Sequence, residues 1–288
     1  MRRPPVIDAH CHAGHGDGLR GPWDTHACLD RYAARARAAG IDRTVLFAAL
    51  TSDYRVANRE VGALVAASRG RYLGFAFVNP VADKGSVGTL VEEARAWGAC
   101  GIKVHWSDGR ITREIAEVAR AHDLPVLYDP AGDVATVETV AGAYPGVAWI
   151  VPHLSSFGDD WSAQVSFVDR LVRLPNVFAD TSGVRYFDVL ADAVRRAGPD
   201  KVLFGSDGPF LHPGVELAKI HALHLTPADA ALVLGGNFLR LTRAARNRRR
   251  RPWPPRRRPT SRYPGTPSPG VPRPSSPWVA GARSGRTT

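Results

Sequence analysis

The 288-residue chain has a formal charge of +11, yet 11 of its 38 Lys and Arg lie in residues 247–288, a segment without Asp, Glu or Lys. Residues 1–246 therefore balance 27 basic against 27 acidic side chains, which leaves nucleic-acid or acidic-surface binding to the tail alone. Three widely spaced cysteines form neither a zinc-ribbon pattern nor a disulfide framework, and no apolar run is long enough to span a membrane, so the expectation is a soluble protein of the reducing cytoplasm.

The first predicted element is an apolar strand from Val6 that ends in His10-Cys11-His12. Strand side chains alternate faces, so His10 and His12 point the same way while Cys11 faces a helix layer. Two neutral imidazoles on a stiff strand suit zinc, iron, manganese or cobalt. Two ligands leave a site incomplete, so further histidines or carboxylates have to come from elsewhere in the chain. A glycine-rich loop over 13–24 and a helix over 25–39, closed by Gly40, follow. The run Arg43–Leu50 is apolar throughout, as in a strand covered on both faces, and a helix then runs to about Ser68.

The alternation continues with strands over 72–78, 101–106, 125–128, 147–151, 176–180 and 201–204. The helices between and after them cover 86–97, 112–122, 134–143, 161–171, 187–196, 213–223 and 227–243. Eight strand–helix units in about 245 residues predict an α/β fold, a closed (β/α)8 TIM-type barrel over residues 1–246. A doubly wound open sheet is the alternative, and it lacks a glycine-rich dinucleotide fingerprint after the first strand. Residues 247–288 are rich in Arg, Pro, Ser and Gly and read as a disordered tail. That tail is either a basic arm for nucleic acid or a dispensable extension, even an out-of-frame one.

In such a barrel the carboxyl ends of the strands converge on one mouth. The residues there are His10 and His12, Lys103 and His105, Asp129, His153, Asp180 to Ser182, and Ser206 with Asp207. With the motifs IDAHCH (7–12), GIKVH (101–105), PVLYD (125–129), VPHLSS (151–156), NVFADTSG (176–183), FGSDGPF (204–210) and GGNFLRL (235–241), the chain resembles the amidohydrolase superfamily. The resemblance is to its amidohydrolase-related branch of metal-dependent hydrolases and aminocarboxymuconate-semialdehyde-decarboxylase-like proteins, and it covers nearly all of residues 6–243.

The resemblance implies one divalent metal ion, zinc first with manganese or iron as alternatives, on His10, His12 and Asp207. It also implies that Asp207 deprotonates the attacking water and that His153 acts as acid–base or polarises the substrate. The sequence departs from the family at strand five, where Asp129 replaces the usual histidine ligand. Asp129 either completes a two-His, two-carboxylate sphere or pairs with Lys103. Lys103, His105 and Arg185 are the candidate substrate-binding residues.

The function implied is hydrolysis of an amide, lactone or ester of a small, carboxylated molecule by metal-activated water. Decarboxylation on the same site and a catalytically inactive ligand-binding barrel are the alternatives. Many relatives are dimers, so the resemblance also implies a homodimer.

Overall fold

The computed structural model describes residues 4–18, 26–158 and 160–248. Apart from Asn247 and Arg248, the expectations for the tail lie outside the described residues. Among the described residues nine strands form one sheet: β1 (Ile7–His15), β2 (His26–Ala27), β3 (Arg43–Ala48), β4 (Tyr72–Phe77), β5 (Ala99–His105), β6 (Val126–Asp129), β7 (Trp149–Val151), β8 (Val177–Asp180) and β9 (Val202–Leu203). All but β2 pair in parallel with their neighbours, β1 with β3 and then in chain order to β9.

The last strand returns to the first. The Ala9 amide donates to the Phe204 carbonyl at 2.9 Å, and Cys11 pairs in parallel with Gly208. The eight parallel strands thus close into a (β/α)8 barrel, as the alternation predicts.

Helices α1 (Leu29–Ala38), α2 (Tyr54–Ala67), α3 (Val87–Trp97), α4 (Arg113–His122), α5 (Val134–Ala143), α6 (Trp161–Arg173), α7 (Phe187–Ala197) and α8 (Pro213–Ala222) return the chain between strands and after β9. Side chains fix where several begin. Asp53, Thr112, Asp133 and Asp160 each accept a backbone N–H of the first turn of α2, α4, α5 and α6, caps that contribute about 1 kcal/mol apiece. The apolar run of β3 is buried from Thr44 onward, because barrel interior and helices cover its two faces. Among the described residues no helix is long and apolar enough to cross a membrane.

The structure differs from the sequence reading at two places. Strand β1 runs on to His15 and pairs antiparallel with β2 through Gly14–Ala27 and His15–His26, where a loop and the start of a helix were expected; polar residues of both strands conceal the ladder. The expected helix over 227–243 is interrupted. It divides into α9 (Pro227–Ala231), a wide turn over 232–236 and α10 (Asn237–Leu241), before α11 (Arg243–Arg248). The Val233 carbonyl accepts from the Phe204 amide at 2.9 Å, outside the helix. A Cβ on Gly235 would stand 2.4 Å from the Pro5 carbonyl oxygen, so close packing against the segment that enters β1 shapes this turn.

Candidate metal centre

The two imidazoles of β1 are oriented by their outer nitrogens. His10 Nδ1 lies 2.6 Å from Asp180 Oδ2 and His12 Nδ1 lies 2.8 Å from the Ala48 carbonyl. A carboxylate and a carbonyl only accept, so both Nδ1 atoms donate and both Nε2 atoms are left facing the site. They converge on Asp207 Oδ1, 3.3 Å from His10 Nε2 and 3.5 Å from His12 Nε2. His10, His12 and Asp207 are buried, and their ligand atoms lie within 4.8 Å of one another.

Burial pushes the His10 imidazole down to about 4, against the pull of Asp180, so it is neutral near pH 7. Burial alone would raise Asp207, but the imidazoles of His12, His10 and His153 outweigh it and hold this carboxyl well below the usual carboxylate range. Two imidazoles, one of them the neutral His10, and an ionised carboxylate thus turn toward one point. This donor set fits a divalent cation, and the Asp180 and Ala48 contacts are the outer hydrogen bonds that orient histidine ligands.

His153 follows β7 on a left-handed stretch, with φ of 57° at His153, 50° at Leu154 and 81° at Ser155. Non-glycine residues held in this region gather at functional sites. Gln164 of α6 ties the turn by donating to the carbonyls of His153 and Ser156 at 3.1 and 2.8 Å. His153 Nδ1 donates to the Ser182 carbonyl at 2.6 Å, and its ring stands 5.2 Å from that of His10.

Asp129 stands apart from the three converging donors. Its Oδ1 accepts the Ala131 amide at 2.9 Å, and its Oδ2 lies 3.4 Å from His105 Nε2 and 3.8 Å from His153 Nε2. Burial favours its neutral form, but His105, His153 and Lys103 outweigh that and keep it ionised. His105 is pushed down to about 4 by burial despite the pull of Asp129, and its Nδ1 lies 2.7 Å from Ser107 Oγ. Burial also lowers Lys103, with Asp129 and Asp207 opposing, and its Nζ sits 5.1 Å from the centre of the Phe47 ring.

These groups line a cavity of about 700 Å3, a volume suited to a small molecule. Leu50, Trp106, Phe157 and Phe210 supply apolar wall. The structure therefore brings His10, His12, Asp207, His153, Asp129, Lys103 and His105 into one cavity, whereas Arg185 is exposed and is not part of the lining. Sequence reasoning placed Asp180 at the mouth without a role. It missed the aromatic wall, which no spacing rule marks.

The sequence matches the amidohydrolase family profile over residues 7–243. The comparison with curated proteins returns no match. Among solved structures, the chain is similar to 5-carboxyvanillate decarboxylase from Sphingomonas paucimobilis, with 15% identity over 83% of this chain and 99% of that one and a TM-score of 0.66. A Pseudomonas putida protein described as a 2-pyrone-4,6-dicarboxylic acid hydrolase gives 16% identity, 84% and 99% coverage and a TM-score of 0.67. A dihydroxybenzoic acid decarboxylase from Polaromonas, with bound manganese and 2-nitroresorcinol, gives 17% identity, 85% and 98% coverage and a TM-score of 0.65. At these identities the likeness establishes the fold. The profile match, spanning every strand of the barrel, establishes that the chain belongs to the amidohydrolase family, whose members are divalent-metal-dependent enzymes.

Proposed function

We propose that the protein is a metal-dependent hydrolase that cleaves an amide, lactone or ester of a small molecule, with one divalent ion, zinc first, held by His10, His12 and Asp207. The observation that carries this reading is the convergence of His10 Nε2, His12 Nε2 and Asp207 Oδ1 on one buried point. A divalent ion held by these residues would supply the Lewis acidity that activates water at neutral pH.

The chain's own residues divide the remaining work. Asp207, kept ionised, takes the proton of the attacking water and returns it to the leaving group. His153 is fixed by donation from its Nδ1 to the Ser182 carbonyl. Its Nε2, 3.8 Å from Asp129, would hold a proton against that carboxylate and polarise the substrate, while Asp207 alone carries the proton from water to leaving group. On this reading Asp129 acts beside the ion rather than as its fourth ligand. Lys103 and His105 hold an acidic group of the substrate, and the aromatic wall packs its body. Arg185, outside the cavity lining, takes no part in this reading. Among the described residues the cysteines are not joined in disulfides, which accords with a reducing cytoplasm as the proposed location.

Decarboxylation is the second reading, favoured by two of the three structural relatives described above. There Lys103 would hold the departing carboxylate, and His153, its Nε2 protonated beside Asp129, would deliver the proton that takes its place as carbon dioxide leaves. Released carbon dioxide without uptake of solvent oxygen supports decarboxylation, whereas solvent oxygen in the product supports hydrolysis.

The test of the metal reading is metal content per chain by mass spectrometry for protein purified without chelator. About one equivalent is expected in wild type and in Asp129→Ala, and none in His10→Ala. Wild type without metal, even after reconstitution, overturns the reading; loss in Asp129→Ala returns Asp129 to the coordination sphere.

A further inference from the structure

Asp8 lies two residues before His10, is wholly buried, and has both carboxylate oxygens occupied. Its Oδ1 accepts the amides of His10 at 3.1 Å and Ser206 at 2.9 Å. Its Oδ2 accepts the Tyr32 hydroxyl at 2.6 Å and the Ser206 hydroxyl. The contacts continue outward. Ser206 Oγ, having donated to Asp8, accepts the Gly208 amide at 3.1 Å, and the Gly208 carbonyl accepts the His12 amide at 2.6 Å. Tyr32, on α1, is itself held by Thr44 of β3 at 2.9 Å. Its ring lies so close to Gly208 that an added Cβ there would approach it to 2.4 Å.

Asp207 sits between the two clamped residues, Ser206 and Gly208, with a left-handed φ of 55°, a conformation that costs a non-glycine residue free energy unless its surroundings impose it. One carboxylate thus fixes the backbone at His10 directly. It fixes both neighbours of Asp207 through Ser206, and His12 through Gly208.

We propose that Asp8, with Tyr32 and Ser206 as its donors, is the positioning residue of the metal centre: it holds the three donor side chains in mutual register by holding their backbones. The proposal rests on the metal reading above for its consequence, but not for its geometry. Asp8 touches neither cavity nor substrate. Its effect passes through the conformation of Asp207, whose Oδ1 must stay between two imidazoles anchored on another strand.

The test is Asp8→Asn, which keeps the shape but replaces one acceptor oxygen by a donor, so that with its oxygen on the two amides the Tyr32 and Ser206 hydroxyls must both turn round and accept. Apparent zinc affinity is measured by chelator competition well below the melting temperature, alongside Leu90→Ala, a buried substitution on α3. Asp8→Asn is expected to weaken zinc binding 10- to 100-fold. Leu90→Ala should lower Tm with affinity unchanged, which separates positioning from general destabilisation. If Asp8→Asn does not fold, Tyr32→Phe and Ser206→Ala each remove one donor, and a smaller loss of affinity is expected. Folded variants that all bind zinc within twofold of wild type overturn the proposal. If wild type itself binds no zinc, the metal reading fails and the crystal structure of the folded variant decides. Asp207 leaving its left-handed conformation supports positioning, and unchanged Asp207 geometry overturns it.

Discussion

The Asp180–His10 contact allows a sharp prediction, because both oxygens of Asp180 are committed. Oδ2 accepts from His10 Nδ1 at 2.6 Å and Oδ1 from the Ser182 amide at 2.7 Å, while Gly205 packs against the carboxyl so closely that a Cβ there would lie 2.7 Å from Oδ1. In Asp180→Asn the amide can satisfy only one of the two donors. With its oxygen toward Ser182, its NH2 group faces His10 Nδ1 and drives the imidazole proton onto Nε2, where it points at Asp207 instead of leaving a ligand lone pair. With its oxygen toward His10, the buried Ser182 amide is stranded. A hydrogen bond to a charged group contributes about 1.5–3 kcal/mol and a stranded buried donor costs about 1–3 kcal/mol. Either arrangement therefore predicts about 10- to 100-fold weaker metal binding, the span expected for an outer partner of a ligand histidine. Chelator competition at pH 7.5 on the folded variant measures it. Affinity equal to wild type would show that Asp180 does not set the His10 tautomer, and the lone-pair argument for the site would fail with it.

Two further predictions concern stability. Gly235→Ala places a methyl 2.4 Å from the Pro5 carbonyl oxygen and should cost about 1–3 kcal/mol in urea unfolding; Gly142→Ala in α5, whose methyl meets open space, should be neutral or slightly stabilising, and equal stabilities for the two variants would refute the close-packing account of the turn. The folded protein keeps His105 neutral down to about pH 4, whereas the unfolded chain takes up that proton near 6.5. Between these values only the unfolded state binds the proton, so stability falls as pH falls, by at most about 3 kcal/mol for this group. Urea midpoints from pH 7 to 4.5 should therefore decline less steeply in His105→Gln than in wild type, and parallel curves would contradict the burial argument.

The barrel was legible because its signal is repeated eight times: apolar strands such as Arg43–Ala48 alternate with amphipathic helices, and the polar residues collect at strand ends. The alternation of His10 and His12 about Cys11 placed both imidazoles inside, and the buried Cys11 thiol faces Tyr32 of α1 as expected. Asp129 is different in kind. Its position at the mouth follows from strand order, but whether a carboxylate there reaches a shared point or turns to His105 depends on side-chain torsions that no periodicity encodes. Asp8 was equally invisible, since an acid inside an apolar strand reads as part of the motif until Tyr32 and Ser206, one of them 198 residues away, are seen to meet it. The break at Gly235 was hidden for the same reason, because its cause lies at Pro5.

His10 and His12 belong to β1 and Asp207 follows β9, so the three donors straddle the seam where the ring closes. On the ribosome the histidine pair emerges with the first strand of the barrel, but its carboxylate partner waits until nearly the whole barrel has been synthesised and the final strand has zipped onto the first. Joining these two ends carries the loop-closure entropy of a long chain, and a cation bound across the seam would return part of it. Metal capture would then act as a latch on the completed barrel, and a nascent fragment ending before β9 would hold at most the weak His-x-His pair.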